Sequence, residues 1–251
     1  DVCSSDLEQL LEISEKNDLA AIKMEVQRTN PPENNFLGKV RDLCDKKNII
    51  LIFDECTSGF RETLGGIHLK YNVYPDLCMF GKALGNGYAI TSVIGKEKIM
   101  QAAQKTFISS TFWTERIGPT AALKTLEVMN KLNSWAYVSD LGDKIRQVWR
   151  ELAESNGLSI KIGGIRPIPQ FIINSKDFLK YKTYITQEML KNGYLSSNLI
   201  FVSMAHNEKI IEAYRDNLKS IFKIIGECER GRSIDSLLET EICHSTFQRL
   251  N

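Results

Sequence analysis

Two residues of this chain pair a nucleophilic amine with a carboxylate, and each follows a short apolar run. Asp54 ends Ile49-Ile50-Leu51-Ile52-Phe53, and Lys82 follows Leu77-Cys78-Met79-Phe80-Gly81. A lysine amine forms a Schiff base with an aldehyde, and a carboxylate keeps a pyridine nitrogen protonated so that the ring can accept electrons. Pyridoxal phosphate asks a protein for both groups. Lys82 and Asp54 are therefore the candidate catalytic and cofactor-binding pair, and pyridoxal 5'-phosphate is the expected cofactor.

The elements that must position them follow from the apolar patterning. Five consecutive apolar residues rich in isoleucine read as a strand buried on both faces of a parallel sheet, which sets Asp54 at its carboxyl end. The run over 77–80 does the same for Lys82, and open α/β sheets bind ligands at those ends. Gly81, Gly85 and Gly87 suit a turn where the backbone approaches a ligand closely.

Upstream, the pattern predicts a helix over 7–16, a strand over 19–26 and a proline-bearing loop over 29–35. Phe36, Leu37, Val40, Leu43 and Cys44 then share a helical face, so that strand, helix and strand make a right-handed βαβ unit. Further strands are predicted near 77–80 and 91–94, and helices near 96–104 and 116–132. Beyond 133 the pattern gives a long helix through 153, short strands near 160 and 171–173, a helix through 190, a strand over 200–203 and a last helix. That helix carries the stripe Ile210, Ile211, Tyr214, Leu218, Ile221, Phe222 and Ile225, with Asn207 as its cap.

The prediction is an α/β protein with a partial large domain over 8–132, built on a mostly parallel sheet. A small α+β domain over 133–225 and a charged tail over 226–251 follow. Residues 1–7 do not begin with methionine and read like translated adapter sequence, so a non-native leader is expected there and the natural chain is expected to start upstream.

Composition narrows the function classes. The 251 residues are 43% hydrophobic and 25% charged, ordinary for a globular chain with a sizeable core. Lys plus Arg at 32 against Asp plus Glu at 31 gives a formal charge of +1, which supplies no basic field for nucleic acid or an anionic membrane. The six cysteines form no CxxC, and His68, His206 and His244 complete no ligand spacing, so no metal is expected and reduced thiols in the cytoplasm are the simplest reading. Apolar runs fall far short of the ~20 residues that cross a bilayer. A nucleotide triphosphatase fits poorly. Its phosphate loop needs GxxxxGK followed by Ser or Thr, normally ahead of the acidic strand, whereas Lys82 follows Asp54 and precedes Ala83.

Longer motifs surround the pair. Ile52-Phe53-Asp54-Glu55-Cys56-Thr57-Ser58-Gly59-Phe60-Arg61, then Tyr74-Pro75-Asp76-Leu77, then Phe80-Gly81-Lys82-Ala83-Leu84-Gly85-Asn86-Gly87-Tyr88 resemble, in order and spacing, the signature of class III pyridoxal-phosphate aminotransferases. Met24-Glu25, Asn30-Pro31-Pro32-Glu33, Phe36-Leu37 and Ser203-Met204-Ala205-His206 resemble most the glutamate-1-semialdehyde aminomutase branch. The resemblance covers roughly 8–225 and implies the fold-type I architecture, a homodimer with active sites at the interface, and a small amino/keto or amino-aldehyde substrate.

It also implies roles. Lys82 becomes the Schiff-base lysine and Asp54 the ring-nitrogen partner. Cys56 stands where the family has a branched aliphatic under the ring, a place a polarizable thiol can fill, and Thr57 is placed to reach the cofactor's phenolic oxygen. Thr111, with Ser110 second, is the candidate that reaches across the dimer to the phosphate, although 109–116 departs from the family's usual pattern there. Asn30 is a candidate for the substrate pocket. Glu55 and His206 are expected to be structural, because adjacent strand residues point apart and a satisfied histidine needs no chemistry.

Relatives hold the cofactor phosphate in sequence that precedes anything present before residue 19. The chain alone is accordingly expected to be a fragment lacking its phosphate cradle, without stable cofactor loading or activity. The alternative is a non-catalytic scaffold or regulatory paralogue of the same fold.

Overall fold

The computed structural model describes residues 6–109, 111 and 114–245. Contacts divide the chain into two compact units, Asp1–Tyr137 and Val138–Asn251. Among the described residues, no helix is long and apolar enough to cross a membrane.

The first unit opens with helix α1 (Leu7–Lys16), capped by the Asp6 carboxylate, which accepts from the Gln9 N–H at 2.9 Å. Strand β1 (Ala21–Glu25) leads into helix α2 (Phe36–Lys47), which buries Phe36, Leu37, Val40, Leu43 and Cys44, the face expected from their spacing. Strands β2 (Ile50–Asp54) and β3 (Leu77–Phe80) follow, then β4 (Ser92–Gly95). The sheet order is β1-β2-β3-β4, parallel through the first three strands and antiparallel at β4.

Alternation assigns the two faces. Leu51, Phe53, Cys78 and Phe80 are buried, while Ile52, Asp54, Leu77 and Met79 are half-buried on the other side. Asp76 fastens the start of β3. Its Oδ2 accepts from the Leu51 N–H at 2.7 Å and from Arg41 at 2.9 Å, and Lys96 lies 2.7 Å from Oδ1. Burial pushes the Asp76 carboxyl upward, but Lys96, the Leu51 amide and Arg41 together outweigh it and hold it below its ordinary value.

The helix predicted over 96–104 divides into a single turn, α3 (Glu97–Met100), and a tighter 3-10 stretch, Gln101–Lys105. Helix α4 (Ile117–Leu132) starts beneath Glu115, whose carboxylate accepts from the Ile117 N–H at 2.8 Å. Helix α5 (Ser134–Ser155) runs through the boundary between the units.

The second unit packs around Trp149. Its ring centroid lies 4.7 Å from that of Phe171, and its indole N–H donates to the Tyr214 hydroxyl at 2.9 Å. Strands β5 (Ile160–Gly163) and β6 (Gln170–Ile173) pair antiparallel, and helix α6 (Phe178–Lys191) and helix α7 (Glu208–Glu229) pack with them. Asn207 caps α7, accepting from the Ile210 N–H at 3.0 Å. The stripe on α7 is buried except for Ile210, which is 39% exposed. The helix carries on past Ile225 to Glu229, and Ile234 beyond it joins the core.

The strand predicted over 200–203 does not form. Leu199 makes an isolated bridge to Gln170, and the Ile200 and Val202 amides donate to the Pro169 and Pro167 carbonyls at 3.1 and 2.9 Å. Prolines offer no N–H in return, so half of the ladder is missing.

Candidate active site

Asp54 ends β2 and stands in register with Glu25 on β1 and Met79 on β3. Its Oδ1 accepts from the Cys56 N–H at 3.1 Å, and Lys23 Nζ lies 3.0 Å from Oδ2. Burial alone would raise its pKa. The Lys23 contact and the Cys56 backbone donor oppose that, and the net effect keeps the carboxyl below its ordinary value. The side chain remains 24% exposed, so a ligand can reach it.

Lys82 begins the loop after β3. Its φ of +44° lies in the left-handed region, unfavourable for a residue with a Cβ. Its Nζ donates to Thr57 Oγ1 at 2.6 Å, and Arg61 Nε holds the Thr57 carbonyl at 2.8 Å, so the turn after β2 supports the lysine. The loop is tight. A Cβ on Gly85 would stand 2.1 Å from the Tyr88 carbonyl oxygen, and Gly87 has a φ of +105°. Gly81, by contrast, is extended at −170° and has room for a side chain.

Glu55 points to the opposite face and is fully buried. Its oxygens accept from Ser58 Oγ at 2.5 Å, the Ile67 N–H at 2.9 Å, the His68 N–H at 3.0 Å and His68 Nδ1 at 2.8 Å. A carboxylate only accepts, so Nδ1 carries the proton. Burial pushes Glu55 upward, but these donors, His68 foremost, hold it below its ordinary value. Glu55, His68 and Cys78 bring potential ligand atoms within 4.8 Å of one another, a cluster invisible in the sequence spacing. Four donors already take up the Glu55 oxygens, so Glu55 and His68 form a hydrogen-bonded knot beside Cys78, whose thiol burial lifts to about 12.

The other expected site residues are spread wider. Cys56 is half-buried beside Asp54, and burial followed by the Asp54 contact raises its thiol, which makes it a packing group rather than a nucleophile. Asn30 is exposed in the bend after β1, and Thr111 is exposed in a turn before α4. Ser110 lies outside the described residues. The His206 Nδ1 accepts from the Ser203 N–H at 3.0 Å within its own turn. Lys23 escaped the sequence reading, since only the strand register places it beside Asp54.

The donor set fits two ends of pyridoxal phosphate. An amine on a strained, braced residue suits the aldehyde, and an anionic carboxylate at the end of the neighbouring parallel strand suits the ring nitrogen.

A family model for aminotransferase class III matches residues 1–195. The chain is 34% identical over 243 residues to 3-aminobutyryl-CoA aminotransferase of Cloacimonas acidaminovorans, covering 88% of this chain and 58% of that protein. It is 29% identical to glutamate-1-semialdehyde 2,1-aminomutase of Nitrosopumilus maritimus, covering 86% and 58%. The fold superposes on the PLP internal aldimine form of the Sphingopyxis sp. MTA144 FumI protein with a TM-score of 0.83 at 21% identity, over 92% of this chain and 58% of that one. The chain thus spans 58% of the length of each of these three proteins. The family match and the superposition meet on the α/β sheet that carries Asp54 and Lys82: this chain belongs to the class III aminotransferases and has the fold-type I architecture of that family, whose cofactor is pyridoxal phosphate.

Proposed function

We propose that this chain carries the ring-and-aldehyde half of a pyridoxal-phosphate site for amino-group transfer, with Lys82 as the covalent anchor. The observation that carries the reading is the placement of Asp54 and Lys82 after adjacent parallel strands, with Lys82 strained and braced by Thr57.

When bound, pyridoxal phosphate supplies the electron sink for the pair left on the substrate carbon. Lys82 Nζ would hold the cofactor's aldehyde carbon and, when a substrate amine has taken its place there, would be free to move a proton from the substrate carbon as general base and return it as general acid. The Asp54 carboxylate holds the proton on the ring nitrogen. Thr57 Oγ1 orients Lys82 Nζ, and Cys56 packs beside Asp54. Asn30 is assigned to the substrate side, and Thr111 and Ser110 to the phosphate of a second copy in a homodimer.

The names of the relatives point to an amino donor with either a separate keto acceptor or an internal amino-aldehyde exchange. Following pyridoxamine phosphate release with and without an added acceptor separates these. The deciding experiment loads the protein with pyridoxal phosphate, reduces it with borohydride and maps the modified peptide. Modification at Lys82 that disappears in Lys82→Ala supports the reading, whereas modification at another lysine refutes it.

A further inference from the structure

We propose that Lys23 is a positioning residue for the ring-nitrogen contact: its ammonium shares the Asp54 carboxylate with the ring and weakens the hold of Asp54 on the ring proton. This rests on the reading of Asp54 given above.

The geometry comes from the sheet. Lys23 sits opposite Ile52, and Glu25 sits opposite Asp54. Residues two apart and residues in register share a face, so Lys23, Glu25, Ile52 and Asp54 line one side of the β1–β2 pair. From there the Lys23 side chain reaches along the strands to Asp54 Oδ2 at 3.0 Å, while Oδ1 accepts from the Cys56 N–H. Lys23, the Cys56 N–H and the Cys56 thiol engage three of the carboxylate's roughly four lone-pair directions, so a ring N–H can still be accepted at the fourth.

What changes is the charge available to it. The groups in or near the site are Lys23 and Glu25 from β1, Cys56 from the turn after β2 and Lys82 from the loop after β3. Glu25 lies 3.6 Å from Arg28, which offsets its charge. Lys23 alone makes an ion pair with Asp54 among the described residues. A cation beside the carboxylate drains its attraction for a ring N–H⁺ and also repels that charge directly. Lys23 therefore turns down the electron demand that Asp54 would otherwise impose, and it does so through a side chain that is 52% exposed.

The test compares wild type, Lys23→Met and Lys23→Arg with two readouts. In the cofactor-free chain, ¹³C NMR of the aspartate carboxyls should show the Asp54 midpoint rising by about one pH unit in Lys23→Met and staying low in Lys23→Arg. In protein loaded with ring-¹⁵N pyridoxal phosphate, Lys23→Met should move the ring nitrogen toward its protonated shift, its midpoint rising by about one pH unit, and Lys23→Arg should not. An Asp54 midpoint unmoved in Lys23→Met overturns the proposal without any need for cofactor, and so does an unmoved ring signal. A ring signal that ignores Asp54→Asn, or cofactor trapped on a lysine other than Lys82, overturns the underlying reading of the site and this role with it.

Discussion

Lys82 Nζ donates to the Thr57 hydroxyl at 2.6 Å, and that bond ties the loop after β3 to the turn after β2. It spans two loops that meet only because β2 and β3 are parallel neighbours. The amine is thereby aimed before any ligand arrives, which lowers the ordering cost of binding.

Thr57→Val keeps the shape and removes the acceptor. A net hydrogen bond of about 1 kcal/mol corresponds to roughly fivefold in affinity, so pyridoxal phosphate should bind Thr57→Val about fivefold more weakly, with Thr57→Ser close to wild type. Absorbance titration measures both. Equal affinity in wild type and Thr57→Val would remove Thr57 from the site.

Glu55 makes the buried knot a pH-sensitive stabiliser. Its folded pKa is depressed below its ordinary 4.5, so its contribution is complete above that value and is lost as pH falls through the folded pKa. Glu55→Gln should cost about 2 kcal/mol in urea denaturation at pH 7, because an amide cannot accept from four donors at once. The gap from wild type should hold steady above pH 4.5 and narrow below it. A gap that widens on acidification would contradict this assignment.

The placement of Asp54 at the end of β2 and of Lys82 just after β3 was legible because each follows an apolar run, a pattern that parallel strands produce locally. The buried face of α2 and the Asn207 cap were legible for the same reason, since helical spacing and caps are written within one turn. Lys23 was not, because its pairing depends on the register of β1 against β2, which no residue of either strand specifies alone. The Glu55 knot closes through residues 67 and 68 and needs the intervening loop to fold back. The segment over 200–203 misled because its own residues favour a strand, while the prolines that deny it hydrogen bonds lie on the neighbouring segment.

Gly85 tests whether the loop geometry, and not only the lysine, makes the site. An added methyl would stand 2.1 Å from the Tyr88 carbonyl oxygen, a backbone atom that cannot turn aside. Gly85→Ala should therefore shift the loop that starts at Lys82, reduce borohydride-trapped cofactor severalfold and cost on the order of 1–3 kcal/mol. Mass spectrometry after reduction gives the first quantity and thermal unfolding the second. Undiminished trapping would mean that the loop tolerates displacement and that Lys82 is aimed by Thr57 alone.

The second unit offers a control that leaves Lys82 untouched. Tyr214 is buried, and burial raises its hydroxyl to about 12, so it stays neutral and accepts from the Trp149 indole N–H at 2.9 Å at any working pH. Tyr214→Phe removes that acceptor and leaves a fully buried N–H without its partner, which costs about 1–3 kcal/mol. Trp149→Phe in the same background removes the orphaned donor as well, so the double variant should lose less than the sum of the two single losses. Urea denaturation followed by tryptophan-independent circular dichroism gives all three values. Strict additivity would show that the bond contributes nothing beyond the packing of the two rings.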